Sequence, residues 1–279
     1  MKLAALFSGV KNRSTIIEGL GSSQYLINNN NLYKYIFNYL YRMSLFKSRN
    51  IFFTNKEDEK YFLINSISTL ENTFYIGGIG VDLSFWICSR DQKNTKVITF
   101  IMSTRLLRSK GVLVYLKAAE IIKKDHAEVK FILLGGVDDN PDSLSLDDLQ
   151  YLIQNNIVEY LGDVNNVKEI TCGADVFVLP SYYGEGVPRS IQEAMSCSMP
   201  VITTDWTGCR DTVDNYVNGI LSPVKDIQSL CLAMDYYIIN RKKIKEHGDK
   251  SRAFAEENYD AYKKARDIEK RITLFYKDK

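Results

Sequence analysis

The sequence predicts an α/β protein whose larger part is a parallel sheet covered by helices on both faces. From Lys96 onward, short apolar segments rich in Val and Ile alternate with segments of helical period. Parallel strands that are buried on both faces read as continuous apolar runs, and the connection between two of them is usually a helix. The chain has 279 residues, of which 45% are hydrophobic and 25% charged, as is typical of folded globular proteins. This length is sufficient for two small domains or one large one.

The elements of the larger part follow one another in a regular order. Strands are predicted at 97–102, 129–134, 157–161, 175–180, 200–204 and 219–222. Helices are predicted between them at 112–125, 147–154, 167–173 and 189–195. Ligands of such Rossmann-like sheets bind beyond the carboxyl ends of the strands. We therefore expect the binding residues in the loops that follow the strands.

The first 85 residues carry a shorter pattern of the same kind. A helix is predicted at 32–46, a strand at 50–55, a helix at 56–64 and a strand at 73–78. This pattern matches only the last two βα units of a Rossmann-like domain, and we expect its first strands to be absent from the chain. At the other end, residues 251–278 form one long amphipathic stretch, which predicts a terminal helix.

Two glutamates eight residues apart mark the junction that follows the strand at 175–180. Glu185 lies between glycines in the loop YYGEGV, and Glu193 lies on a helix that starts at Pro188. Such a junction directs backbone N–H groups and the positive end of a helix dipole toward a ligand, which suits a phosphate. Carboxylates suit sugar hydroxyls, because each accepts several hydrogen bonds. The alternatives are an ordinary loop acid for Glu185 and a solvated i,i+4 pair of Glu193 with Arg189.

Five segments follow the order and spacing of a known family. They are GIGVDLSFW (78–86), STRLLRSKGV (103–112), VEYLGDV (158–164), the segment from Pro180 to Val213 and VNGIL (217–221). Together they resemble the family 4 retaining glycosyltransferases, which have the two-domain GT-B fold. EGVPRSIQEA followed by TGCRDTV is most similar to the branch that builds bacterial capsule, O-antigen and other polyprenyl-linked glycans.

The resemblance implies a domain organisation. Residues 86–250 would form a complete C-terminal Rossmann-like domain that binds the nucleotide-sugar donor. Residues 1–85 would form a partial N-terminal Rossmann-like domain on the acceptor side. Residues 251–279 would form a helix that crosses back to this first domain.

The resemblance also implies which residues bind the donor. Glu185 would hydrogen-bond hydroxyls of the donor sugar and Glu193 those of the ribose, with backbone N–H groups of Gly186 and Val187 nearby. Arg105 and Lys110 would bind the diphosphate and compensate its charge as it leaves. Glu185, Arg105 and Lys110 would thus form the catalytic set. A solvated basic loop is the alternative for the two cations.

The reaction implied by the family is transfer of a sugar from a nucleotide donor, expected to be UDP-linked, to a glycan hydroxyl with retention of configuration. The leaving phosphate would accept the proton of the acceptor, so no protein nucleophile is needed. No metal and no other cofactor would be required, because the two cations offset the phosphate charge. The acceptors of this branch are polyprenyl-linked glycans.

Three alternatives remain. The chain could be a truncated, non-catalytic nucleotide-sugar binding protein, or one half of a split enzyme whose missing strands come from a separate chain. It could also be a GT-B-fold isomerase such as a nucleotide-sugar 2-epimerase. Because the pattern lacks the first strands, we expect the chain alone to bind nucleotide sugar weakly and to transfer little.

Composition excludes several other classes of function. The net charge is +2, from 36 basic and 34 acidic residues, which gives no case for a nucleic-acid partner. The five cysteines show no Cys-x-x-Cys pair, so we expect reduced thiols, without a zinc site or a disulfide framework. There is no signal-peptide pattern and no long apolar run, which predicts a cytoplasmic protein.

The helix at 32–46 mixes aromatic and basic residues, and a half-buried Rossmann helix is favoured over a helix lying on the inner membrane surface.

Overall fold

The computed structural model describes residues 13–21, 23–88 and 97–274. Within them, the first part of the chain forms a parallel sheet in the order β1-β2-β3. Its strands are β1 (Arg13–Ile17), β2 (Ser48–Phe53) and β3 (Thr73–Tyr75), and its helices are α1 (Ser23–Asn29), α2 (Asn31–Leu45) and α3 (Lys56–Ile64). We call this part the first unit. It has a hydrophobic core of its own, in which Ile51, Phe53 and Phe62 are fully buried.

The rest of the described chain is the second unit, whose larger sheet is also parallel throughout. Its strands are β4 (Thr99–Ser103), β5 (Lys130–Leu134), β6 (Glu159–Gly162), β7 (Val176–Leu179), β8 (Val201–Thr204) and β9 (Gly219–Ser222). Each of them overlaps a strand that the sequence predicts, with ends that differ by up to two residues. Their order across the sheet is β6-β5-β4-β7-β8-β9, so the direction of winding reverses between β4 and β7. In Rossmann-like sheets, this reversal opens a crevice at the carboxyl ends of the two strands, where ligands bind.

Helices cover both faces of the larger sheet. They are α4 (Val112–Asp125), α5 (Asp147–Gln154), α6 (Val167–Gly173), α7 (Arg189–Ser196), α8 (Ile227–Ile239) and α9 (Lys242–Asn258), followed by α10 (Ala261–Leu274). Every residue of β7 and of β8 is buried, as continuous apolar strands require. The hydroxyl of Tyr115 on α4 donates to the carbonyls of Phe100 (3.1 Å) and Ile132 (3.0 Å), which fixes this helix over two strands.

Strand β1 was not predicted from the sequence. It is five residues long and several of its positions are partly exposed. Its partners in β2 lie 35 or 36 positions further along the chain (Arg13 with Ser48, Ile17 with Phe53), so no local signal marks it. The first unit therefore contains one more strand, within the described residues, than the two predicted βα units provide.

The terminal stretch is two helices, and the prediction of one long helix is wrong. It breaks at Tyr259 and Asp260, between α9 and α10. The carbonyl of Tyr259 accepts the N–H of Val81 (2.9 Å), and the N–H of Ala261 donates to the carbonyl of Val81 (3.2 Å). These bonds to the segment that joins the two units hold the break in place. Beyond it, α10 lies against the first unit, where the guanidinium of Arg271 sits 4.3 Å above the ring of Phe74.

A disulfide joins Cys88 and Cys172, which corrects the expectation that all cysteines are reduced thiols. The two residues are 84 positions apart, but the fold brings their Cα atoms to 5.5 Å. Spacing along the chain cannot reveal such a pair, because α6 reaches the segment after Trp86 only through the packing of the second unit.

Helix α2 has a buried and an exposed apolar face. Phe37 and Leu45 pack into the core of the first unit, in agreement with the half-buried helix favoured by the sequence. The opposite face exposes Leu32, Tyr35, Ile36, Tyr39, Leu40 and Met43. Among the described residues, no helix combines the length and the hydropathy needed to cross a bilayer.

Helix α3 carries a buried carboxyl in its first turn. Asp58 is 2% exposed and accepts a hydrogen bond from Nδ2 of Asn55 (2.8 Å). Burial raises the pKa of Asp58 from 3.8 to about 6, although the bond from Asn55 opposes the change. The folded protein thus holds this proton to a higher pH than the unfolded chain does.

This pKa shift predicts a pH-dependent stability. Because the folded pKa is raised, the stabilising contribution is complete below pH 4 and is lost as the pH rises through 6. In urea unfolding, the stability of wild type relative to Asp58→Asn should fall by about 2–3 kcal/mol between pH 4 and pH 7. The matched control is Asp226, an N-cap whose pKa is lowered by the N–H of Ser229, so Asp226→Asn should show the opposite trend. A difference between wild type and Asp58→Asn that does not change with pH would contradict the assignment.

Candidate active site

A buried ion pair lies at the reversal of the larger sheet. Lys110 ends a short 3-10 turn that follows β4, and Glu185 lies in the loop that follows β7. The ammonium of Lys110 is 2.5 Å from Oε1 of Glu185, and only 9% and 18% of the two side chains are exposed. Two residues that are 75 positions apart in the sequence thus meet at the point where the topology predicts a ligand.

Neighbouring side chains fix the geometry of this pair. The hydroxyl of Ser181 donates to Oε1 of Glu185 (3.3 Å), and the ammonium of Lys110 lies 5.1 Å from the centre of the Tyr183 ring. An ammonium has three N–H donors, so Lys110 can bond Glu185 and still donate to a phosphate oxygen. The arrangement presents a positive and a negative group side by side, as a ligand with a phosphate and a hydroxyl requires.

The position after Lys110 requires a glycine, Gly111. Its φ is +79°, and a side chain there would overlap with the carbonyl of Pro180 at the end of β7. The β4 loop can therefore pack directly on the end of β7, which brings Lys110 to Glu185.

Arg105 lies on the rim of an adjacent cleft of about 360 Å³. Its guanidinium pairs with Asp138 at 2.5 Å and lowers the pKa of that carboxyl, and 54% of the Arg105 side chain remains exposed. The cleft runs along the carboxyl ends of β4, β5 and β6. Its lining includes Thr104, Arg105, Gly135, Gly136, Asp163 and Val164.

Most of this lining was not assigned a role from the sequence. Gly135 and Gly136 follow β5, and Asp163 and Val164 follow β6. The signal was available, because the last two belong to the segment VEYLGDV at 158–164 that carries the family resemblance.

Glu193 lies on α7, and the structure contains the pair that the sequence offers as the alternative. Its carboxylate accepts from Nε of Arg189 at 3.1 Å, and 18% of the Glu193 side chain is exposed against 66% for Arg189. Burial raises the pKa of Glu193, and the charge of Arg189 opposes the change. The pair leaves most of the arginine in solvent, so it does not by itself account for the burial of the carboxylate.

The loop around Glu185 is pressed against the first unit. The N–H of Gly186 donates to the carbonyl of Glu18, and the N–H of Gly21 donates to the carbonyl of Gly184. The Gly186 amide, which the sequence assigns to the ligand, is therefore engaged within the protein. The neighbouring residue, Val187, is 8% exposed.

Gln192 is a buried residue that the sequence did not single out. Its Nε2 donates to the carbonyl of Val187 (3.0 Å), and its Oε1 accepts the N–H of Gly80 (2.9 Å). It thus joins the end of the Glu185 loop to the segment between the two units. No local sequence pattern marks Gln192, because both of its partners lie outside α7.

One group of side chains in the described ranges has the geometry to hold a metal ion. The sulfurs of Cys88, Cys172 and Cys197 lie within 4.8 Å of one another. Two of them form the disulfide, so in this form they do not provide thiolate ligands. The two cations that the family resemblance assigns to a diphosphate, Arg105 and Lys110, are each paired with a carboxylate, that of Asp138 and that of Glu185 respectively.

Comparison with known proteins identifies relatives with transferase names. Residues 89–257 match the family described as glycosyl transferases group 1. The chain is 29% identical over 243 residues to the N,N'-diacetylbacillosaminyl-diphospho-undecaprenol alpha-1,3-N-acetylgalactosaminyltransferase of Campylobacter jejuni, covering 82% of this chain and 61% of the relative. It is 26% identical to the capsular polysaccharide biosynthesis glycosyltransferase CapM of Staphylococcus aureus, covering 69% of this chain and 42% of the relative. The chain thus spans about three fifths or less of the length of these two relatives.

Solved structures confirm the fold. The Anabaena protein HepE in complex with UDP and glucose superposes with a TM-score of 0.77 at 19% identity, covering 98% of this chain and 74% of that protein. Sucrose-phosphate synthase from Thermosynechococcus elongatus also gives a TM-score of 0.77, at 20% identity, covering 95% of this chain and 68% of the synthase. The predicted α/β, GT-B-like fold is therefore confirmed.

Proposed function

The chain belongs to the group 1 glycosyltransferases, and from this premise we propose that its cleft binds a UDP-sugar and serves sugar transfer with retention, as in family 4. The observation that carries the proposal is the buried pair of Lys110 and Glu185 at the reversal of the sheet. The lysine and Arg105 bind the diphosphate, and the carboxylate binds hydroxyls of the sugar. The cleft of about 360 Å³ beside Arg105 receives the nucleoside, with Glu193 on the ribose.

The chemistry follows from these charges. As the bond between sugar and phosphate breaks, negative charge develops on the leaving diphosphate, and two preorganised cations stabilise it. The leaving phosphate takes the proton of the attacking hydroxyl, so transfer proceeds on the same face of the sugar. Arg105 and Lys110 supply the positive charge that a metal ion would otherwise provide, and the proposal needs no other cofactor.

We further propose a polyprenyl-linked glycan as the acceptor and synthesis of a bacterial surface glycan as the process. The name of the Campylobacter relative, a diphospho-undecaprenol glycosyltransferase, supports this acceptor class. The exposed apolar face of α2 is suited to peripheral contact with the cytoplasmic surface of the membrane. The cations of α2 turn toward the first unit instead: Arg42 donates to backbone carbonyls of Asn65 and Ser66, and the ammonium of Lys34 lies 5.9 Å from the ring of Tyr61.

Calorimetry with two glutamate variants tests the roles within the site. Glu185→Ala should weaken a UDP-sugar about tenfold or more and UDP much less, because its partner is the sugar. Glu193→Ala should weaken UDP and the UDP-sugar alike, because its partner is the ribose. Equal losses of UDP and UDP-sugar in both variants would contradict these roles. Binding without any transfer to an acceptor would favour a nucleotide-sugar binding protein.

Arg105 and Arg108 offer a matched pair for testing the phosphate contact. Both follow β4, but Arg105 lies on the cleft, whereas Arg108 pairs with Asp148 at 3.3 Å. Arg105→Ala should lower the affinity for UDP about tenfold to a hundredfold and leave uridine within about twofold. Arg108→Ala should change neither. If uridine binding falls as much as UDP binding, the contribution of Arg105 is structural.

A further inference from the structure

Asn55 lies where the first unit meets the loop around Glu185. It follows β2 and precedes α3, and its side chain is completely buried although its residue type is polar. A buried amide must have its donors and its acceptor bonded, because each unmade bond costs free energy. The partners of Asn55 therefore show what holds it in this position.

The two ends of the Asn55 amide have separate partners. The oxygen accepts the N–H of Asp58 (2.7 Å) and caps α3. The nitrogen donates to the Asp58 carboxyl (2.8 Å) and, at 3.4 Å, to the backbone carbonyl of Glu185. A hydroxyl would suffice for the cap, since Ser and Thr serve as N-caps too. The amide nitrogen adds two bonds to this cap, one to the Asp58 carboxyl within the first unit and one that crosses to the second unit.

Close packing around Glu185 leaves its backbone little freedom. A side chain at Gly19 would lie 2.6 Å from the Cα of Glu185, so the two backbones are in direct contact. The amides of Gly21 and Gly186 bond across the same boundary. The position of Glu185, and with it the 2.5 Å approach of its carboxylate to Lys110, is thus set jointly by both units.

We propose that Asn55 is a positioning residue for donor binding: by holding the carbonyl of Glu185 from the first unit, it orients the Glu185 carboxylate toward the sugar. The inference rests on the proposed function for its effect on ligand affinity. The docking of the loop itself does not depend on a ligand. Asn55 touches neither phosphate nor sugar in this account, so its removal should affect the sugar contact of Glu185 and spare the phosphate contact of Lys110.

Asn55→Ser in the full chain tests the proposal. Serine keeps the cap of α3 but lacks the amide nitrogen, so it loses the bond to the Glu185 carbonyl together with the bond to the Asp58 carboxyl. Asn30→Ser is the matched control, because Asn30 caps α2 in the same way, accepting from the N–H of Tyr33 at 3.0 Å, and is exposed. Asn55→Thr, which fills more of the buried space and also caps, is the second variant if serine impairs folding.

Hydrogen exchange and calorimetry give two independent readouts. Backbone amides of 183–187 should exchange about tenfold faster in the Asn55 variants and at the wild-type rate in Asn30→Ser. UDP-sugar affinity, measured with UDP-glucose, UDP-GlcNAc and UDP-GalNAc, should fall about fivefold to tenfold, with UDP affinity within about twofold. Unchanged exchange and unchanged UDP-sugar affinity in folded Asn55 variants would overturn the proposal. A wild-type chain that binds none of these nucleotides would contradict the proposed function, while the exchange rates would still decide whether Asn55 holds the loop.

Discussion

Replacing Gly186 with alanine should weaken UDP-sugar binding by about a hundredfold. A Cβ at this position would overlap with Oγ1 of Thr54 and lie 2.6 Å from the carbonyl of Glu18. Both obstacles belong to the first unit, and the second is backbone, so the loop and the first unit have to separate. A displacement of about 1 Å takes the Glu185 carboxylate out of hydrogen-bond reach of the sugar, and losing one or two charge-assisted bonds is sufficient for an effect of this size.

Gly173→Ala is the matched control for this substitution. Gly173 ends α6, and a Cβ there would meet nothing within 4 Å. Alanine should therefore be neutral or slightly stabilising in a helix, by about 0.5–1 kcal/mol. Gly186→Ala should instead destabilise by about 1–3 kcal/mol through overpacking. Calorimetry of both variants with the same UDP-sugars checks the prediction, and near-wild-type affinity in Gly186→Ala would show that the contact with the first unit is dispensable.

Lys110→Met should destabilise the protein by about 3–5 kcal/mol, because it leaves the Glu185 carboxylate buried beside an apolar side chain. A loss of this size corresponds to a drop of roughly 10 °C in Tm for a chain of this length. Lys245→Met is the comparison, because Lys245 forms an exposed pair with Asp249, the two side chains being 74% and 60% exposed. This substitution should change the free energy of unfolding little.

The double variant Lys110→Met, Glu185→Gln separates stability from binding. Removing both charges leaves no uncompensated ion, so most of the lost stability should return. The affinity for the UDP-sugar should not return, because the phosphate and the sugar have each lost a bonding partner. Recovery of binding together with stability would mean that the pair acts only as a structural ion pair.

The parts of the fold that the sequence predicted are those fixed by local patterns. The strands of the larger sheet are buried on both faces, so each leaves a continuous apolar run that needs no knowledge of its neighbours. The Glu185 loop and the start of α7 were predictable for the same reason, since glycines and Pro188 mark the junction directly. Strand β1 was missed because it forms only by pairing with β2, and two helices separate these strands along the chain.

The parts of the site that the sequence did not reveal depend on contacts between distant segments. The sequence assigns Lys110 and Glu185 to different groups of the ligand and does not show that they pair with each other. Their pairing follows from the packing of Gly111 on Pro180. The roles of Asn55 and Gln192 are likewise visible only when their partners across the boundary between units are known. The disulfide between Cys88 and Cys172 belongs to the same class.

The most direct test of this account is a calorimetric titration of UDP, UDP-glucose, UDP-GlcNAc and UDP-GalNAc into wild type and the Lys110→Met, Glu185→Gln variant. Wild type should bind UDP and at least one UDP-sugar. The double variant, once a thermal unfolding transition has shown that it is folded, should bind UDP about tenfold to a hundredfold more weakly than wild type. It should also bind the UDP-sugars no more tightly than UDP. Equal affinities in the two proteins, or no nucleotide binding by wild type, would contradict the assignment of the donor site to this pair.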